Sequence, residues 1–187
     1  MHDILTEVEK RLSPKRFAHT LGTAECAVTL ARRFGADPSA AYRAGLLHDI
    51  TKEWNPTQQL NFFENHGIMI CNAQKLTPEL FHPISGAIVA KEEFGMDSAV
   101  CDAIRSHTTG RVNMSLLEQV LWLADLIEPG RNFPGVEELR ALAQKDLSCA
   151  VCAGMTRSIS FLLEQNRLID TQMVDARNWF LSERKEL

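Results

Sequence analysis

Ala44-Gly45-Leu46-Leu47-His48-Asp49-Ile50-Thr51-Lys52 closes a segment opened by Asp37-Pro38, with Asp as N-cap and Pro at the first helical position. The spacing predicts a helix over 38–50. At i, i+3, i+4 and i+7, Ala41, Ala44, Gly45 and His48 share one stripe, whose small side chains let a second helix approach closely. Adjacent helical positions diverge by about 100°, so His48 and Asp49 would reach an ion from different directions. The two oxygens of a carboxylate would also let Asp49 bridge two ions. A His-Asp dipeptide arises readily by chance, however. Its plain alternative is a helix C-terminus with a favourable His and a solvated Asp.

Helical periodicity continues on both sides of this stretch, and strand-like alternation is almost absent. Further helices are expected over 3–11, 14–34, 56–65, 83–94, 97–107, 136–146, 148–166 and 171–185. Ser115-Leu116-Leu117-Glu118 is a capping box that opens one more, ended by Pro129-Gly130. The stretch from Gly67 to Leu80 reads least clearly. The fold class is all-α: a compact, single-domain helical bundle spanning 1–187 without linker, repeat or low-complexity tract. On the 14–34 helix, Phe17, Leu21, Ala24 and Val28 mark the expected core face.

Bulk composition excludes several function classes. The chain has 187 residues, 45% hydrophobic and 24% charged, with a formal charge of -4 and no basic block for nucleic acid or anionic lipid. The longest unbroken apolar runs, Val120 to Ala124 and Cys149 to Ala153, are five residues long, against about 20 for a membrane span. The first segment lacks an apolar signal-peptide region, so a cytoplasmic protein is expected. Cys26, Cys71, Cys101, Cys149 and Cys152 read as reduced packing residues, because the single C-x-x-C has no second pair to complete a zinc site.

Four further residues join His48 and Asp49 as candidate metal ligands. Asp125 interrupts Val120-Leu-Trp-Leu-Ala-Asp-Leu-Ile127, otherwise a fully buried helix, and a buried Asp requires a metal, an arginine or several donors. His19 lies on the flank of the core face of its helix. His82 precedes Pro83, which biases it to an extended conformation ahead of the next helix. His107 ends a helix and runs into Thr108-Thr109-Gly110-Arg111, a loop of the kind that contacts phosphate or, more plainly, caps a helix. Imidazoles and carboxylates without thiolate suit iron, manganese, cobalt or nickel better than a structural zinc.

The order H…HD…H…H…D resembles the HD-domain metal-dependent phosphohydrolases. Ala44-Gly-Leu-Leu-His48-Asp49-Ile-Thr-Lys52, His82-Pro83, His107-Thr-Thr-Gly-Arg111 and Ala124-Asp125-Leu-Ile-Glu-Pro-Gly-Arg131-Asn-Phe-Pro-Gly135 narrow the resemblance to the YqeK family, the HD-type symmetrical bis(5'-nucleosyl)-tetraphosphatases of bacteria. The resemblance covers about residues 14–145 and leaves the C-terminal helices, 146–187, without a usable motif.

That resemblance implies an HD-type helical bundle acting on diadenosine tetraphosphate, with two ADP as products and two divalent or trivalent transition-metal ions, iron favoured, as cofactors. Family practice would place His19, His48, Asp49 and Asp125 around one ion, and His82, His107 and bridging Asp49 around the other. Asp49 and Lys52 are the expected catalytic residues, with a bridging hydroxide attacking an inner phosphorus. Lys52, Thr108, Thr109, Gly110, Arg111 and Arg131 are the expected substrate contacts. No nucleic acid or membrane partner is expected, and a homodimer is possible. Two other readings stay open: a hydrolase of deoxynucleoside triphosphates, cyclic nucleotides or guanosine polyphosphates, and a non-catalytic nucleotide sensor.

Overall fold

Ser13 and Pro14 start the longest helix, and Gly35 stops it. In the computed structural model, which describes residues 4–70 and 75–183, α1 spans Ile4–Arg11 and α2 Pro14–Phe34. The Ser13 hydroxyl accepts from Arg16 N at 3.4 Å, and Gly35 closes the helix in the left-handed region at φ 84°, its N–H donating to Ala31 O at 2.9 Å. Next come α3 (Pro38–Leu47), α4 (Pro56–Asn65), a single 3₁₀ turn (Pro78–Leu80), α5 (His82–Glu92) and α6 (Ser98–Ser106). The chain continues through α7 (Leu116–Ile127), α8 (Val136–Ala143), α9 (Leu147–Glu164) and α10 (Thr171–Glu183). Among the described residues there is no strand, and the all-α expectation holds. Cys71 and the end of the segment expected to reach 185 lie outside the described residues.

Close approach of two backbones organises the site-bearing half. A Cβ built on Gly45 would lie 2.5 Å from Ala24 Cα, so α3 crosses α2 at a distance that no side chain tolerates there. This is the role expected of the small-residue stripe. It also moves the core face of α2. The buried residues are Thr20, Thr23, Ala24, Ala27, Leu30 and Ala31, whereas Phe17, Leu21 and Val28 are only partly buried. Small residues bring α2 close to its neighbours, so the stripe centres on them and not on the bulkier flank. α2 packs on α3 and α7, α6 bridges α3, α5 and α7, and α9 lies against α7, α8 and α10.

Two local expectations are corrected. α3 ends at Leu47, not near Ile50. The His48 ring takes the Gly45 carbonyl at 2.7 Å, and the following bonds tighten to Ile50 N–Leu47 O and Lys52 N–Asp49 O. His82 is the first residue of α5 and not an extended residue ahead of it. The 3₁₀ turn leads directly into the helix, and Pro83 sits in the first turn, where a missing N–H costs nothing. α9 has the length and mean hydropathy, 1.2, of a possible membrane span, although its longest unbroken apolar run is short. It packs against three other helices.

Candidate metal centre

The same local device positions three of the expected ligands. His48 and His107 stand at the C-terminal ends of α3 and α6, and His82 at the start of α5. Each gives its Nδ1 to the carbonyl three residues earlier: Gly45 O at 2.7 Å, Ile104 O at 2.6 Å and Glu79 O at 2.7 Å. A carbonyl only accepts, so Nδ1 carries the proton and Nε2 keeps its lone pair. Thr51 and Ser85 fix the His82 turn, the Thr51 hydroxyl donating to His82 O at 3.1 Å and lying 2.7 Å from Ser85 Oγ. His19 presents its ring from α2 and Asp125 its carboxylate from α7, so all six expected ligands converge.

Asp49 is the centre of the cluster. Its Oδ2 faces His48 Nε2 at 3.3 Å and His19 Nε2 at 3.8 Å, while Oδ1 faces His82 Nε2 at 3.2 Å and His107 Nε2 at 3.8 Å. His19 Nε2 lies 3.0 Å from Asp125 Oδ1, and His48 Nε2 3.8 Å from the same oxygen. Donor atoms of His19, His48 and Asp125 lie within 4.8 Å of one another, as do those of His48, Asp49 and His107, so His48 stands within reach of both groupings.

The donor set fits metal ions. His48 Nε2 is buried without a hydrogen bond, and an orphaned buried nitrogen is costly. His82 Nε2 and His107 Nε2 approach to 3.1 Å with both Nδ1 protons committed to backbone. Two lone pairs at that separation repel unless a cation lies between them. Adjacent ligands at right angles, with bonds of roughly 2.1 Å, stand about 3 Å apart, close to the 3.0 Å between His19 Nε2 and Asp125 Oδ1.

Charge within the site follows from burial and neighbours. Burial opposes ionisation of Asp49, but His48 and His82 outweigh it and hold the carboxyl well below the usual carboxylate range. Asp125 is likewise depressed: burial is outweighed by His19, His48 and Arg131. Burial, with His82 and His48 beside it, pushes His107 down to about 3, and burial also lowers His82. His48 goes the other way, raised by Asp49 against the effect of burial. Burial lowers Lys52, whose ammonium sits 3.3 Å from both ring nitrogens of His82.

Two further charged residues, which no motif in the sequence marks, join the cluster. Arg16, one turn before His19 on α2, donates to Asp49 Oδ2 at 2.9 Å, and only its i−3 relation to His19 could have marked it. Glu128, three residues after Asp125 and 4% exposed, accepts from His19 Nδ1 at 3.1 Å. Arg131, expected as a substrate contact, lies beside Asp125, with NH2 2.6 Å from Oδ1 and Nε 2.8 Å from the Asp125 carbonyl.

The loop after His107 takes the helix-cap form of its two expected readings. Arg111 makes a forked pair with buried Glu118, Nε to Oε1 at 2.6 Å and NH2 to Oε2 at 2.7 Å, while NH1 takes the carbonyls of Val112 and Asn113. Gly110 N–H donates to Ser106 O at 2.8 Å, and Gly110 is pressed against Met155 at φ 68°. Thr108 O accepts from Trp122 Nε1 and Thr109 Oγ1 donates to Gly110 O. The loop is a helix cap anchored to α7, in which the Gly110 N–H and four of the five Arg111 N–H groups are already engaged.

Residues 16–130 match the HD domain. The chain belongs to the HD-domain family. It is 37% identical to the symmetrical bis(5'-nucleosyl)-tetraphosphatase of Bacillus subtilis, over 96% of this chain and 97% of that one. It is 38% identical to the protein of the same name from Halalkalibacterium halodurans, over 95% of each. The crystal structure of a predicted HD superfamily hydrolase involved in NAD metabolism, from Clostridium acetobutylicum, superposes with a TM-score of 0.93 at 36% identity, covering 96% of both chains. This HD-domain protein is therefore of the YqeK type and is a hydrolase. The fold and the His/Asp cluster together mark it as metal-binding.

Proposed function

We propose that the protein hydrolyses diadenosine tetraphosphate, and related dinucleoside polyphosphates, symmetrically to two ADP. The observation that carries the chemistry is Asp49, which turns one oxygen to His19 and His48 and the other to His82 and His107. The substrate class rests on relatives that bear that name over nearly the whole chain. In this reading His19, His48, Asp49 and Asp125 hold one ion, and His82, His107 and Asp49 the second, the family resemblance favouring iron among the metals that nitrogen and oxygen donors suit. When bound, such a pair supplies a water acidified toward neutral pH and positive charge beside the phosphoryl oxygens.

The chain's own residues do the rest. Arg16, Lys52 and Arg131 form the cationic rim of the centre, and each offers donors to non-bridging oxygens of the tetraphosphate. Arg16 joins this rim through Asp49, while the Arg111 fork is engaged by Glu118. Lys52, partly desolvated over the His82 ring, is the cation next to the Asp49 oxygen that faces His82. Two cavities, of about 340 and 350 Å³, flank the turn that carries His82. They offer room for the two nucleoside ends, one beside Lys52 and His82 and the other beside Thr109 and Arg111.

Product analysis tests this reading. Incubation with diadenosine tetraphosphate in heavy-oxygen water should give ADP as the sole nucleotide, with one label per cleavage on one of the two molecules. Equal AMP and ATP would contradict symmetrical cleavage. ADP absent here, but pyrophosphate or tripolyphosphate released from another nucleotide, would move the assignment within the hydrolases.

A further inference from the structure

Of the four clustered histidines, only His19 does not give its Nδ1 to a backbone carbonyl. It gives it to the Glu128 carboxylate at 3.1 Å, and that carboxylate is held with unusual care. Gly130 N–H donates to Oε2. A Cβ on Gly22 would stand 2.6 Å from Oε2, and one on Gly130 3.0 Å from both oxygens, so two glycines make the space the carboxylate occupies. Its backbone is fixed as well: Arg140 donates to Ile127 O at 2.9 Å and, through NH2, to Glu128 O at 2.7 Å and Arg131 O at 2.9 Å. Nothing in the family resemblance or the ligand order assigns this residue a role.

We infer that Glu128 is a positioning residue that makes the His19 side of the centre the tighter of two ion sites, so that the ions load in order. This rests on the two-ion reading above. An anionic acceptor on Nδ1 fixes the tautomer as a carbonyl does, and in addition raises the donor strength of Nε2. On the other side, His82 and His107 lean on neutral carbonyls. The His19 side also has Asp125 as a carboxylate of its own, whereas the other side has only its share of Asp49.

The test is a manganese titration of the full-length, metal-free chain, with free Mn²⁺ read by electron paramagnetic resonance and folding checked by circular dichroism. Wild type should show two classes of site. Glu128→Gln keeps an oxygen for Nδ1 but removes the charge, and should weaken the tighter class by about 10–100-fold, leaving the weaker class in place. Gly22→Ala keeps the carboxylate but displaces it, and should weaken the same class. In a His19→Ala background, Glu128→Gln should add nothing further, because the partner through which it acts is gone. Both classes unchanged, both weakened alike, or an undiminished effect without His19 would overturn the role of Glu128. A wild-type chain that holds two ions in a single class would overturn the ordered loading alone, and one that holds a single ion would overturn the two-ion reading along with it. No nucleotide enters the assay, so a failed substrate assignment leaves its outcome untouched.

Discussion

Among single residues Asp49 is pivotal, since its two oxygens face different histidines. Asp49→Asn keeps the shape but replaces one anionic oxygen with an amide that donates. The expected outcome is an unchanged helical spectrum with turnover reduced by at least about 10²-fold, the scale on which a group specific to the transition state acts. Most of the wild-type turnover surviving the substitution would remove Asp49 from its bridging place. The convergence of the six candidate ligands was legible where a neighbourhood marked them, a small-residue stripe before His48, an apolar helix around Asp125, a helix start at His82 and a helix end at His107, whereas His19 was marked only by the order of the ligands. Arg16 and Glu128 were not legible. A single charge near a helix end is ordinary surface chemistry until burial shows otherwise, and the 4% exposure of Glu128 is a tertiary fact. The Arg111 ion pair was hidden for the converse reason: its partner, Glu118, had already been explained as a capping-box acid, and one carboxylate does both jobs.

At the scale of helices, boundaries with a cap and a breaker were legible, as at Ser13-Pro14 and Gly35 for α2. Boundaries set by a ligand's own side chain were not. α3 ends where the His48 ring takes a carbonyl from its own helix, which no propensity encodes. Gly45 tests whether the α2/α3 crossing matters to the centre. A Cβ there meets Ala24 backbone at 2.5 and 2.9 Å, so Gly45→Ala must push apart the helices that carry His19 and His48. Overpacking of this kind costs roughly 1–3 kcal/mol, or about 2–4 °C of melting temperature for each kcal/mol in a chain of this size. Retained metal should fall as well, since the two ligands separate. A melting temperature and metal content equal to wild type would show that the crossing is looser than the structure has it.

At the scale of the whole molecule, the helices converge their ends on a buried cluster that protons and metal ions contest. His107 is held from its ordinary 6.5 down to about 3, chiefly by burial, so the unfolded chain takes a proton before the folded one does. The stability this contributes is full above about 6.5 and is lost as pH falls from there toward 3. His82 acts in the same sense, while His48, raised by Asp49, loses its contribution as pH rises above its ordinary 6.5. Metal-free protein should therefore melt at a lower temperature at pH 5 than at pH 7, and His107→Gln should flatten that dependence. A pH-independent melt of the metal-free wild type would contradict the burial of a neutral His107. The HD-type helical frame was legible from the ligand order, whereas the use of α9 and α10 as packing for the site-bearing half was not, because their residues carry no motif. The metal content of the purified chain decides whether the cluster holds two ions. Elemental analysis should find close to two equivalents per chain, iron prominent among them, and a single tightly held zinc with full activity would contradict the account.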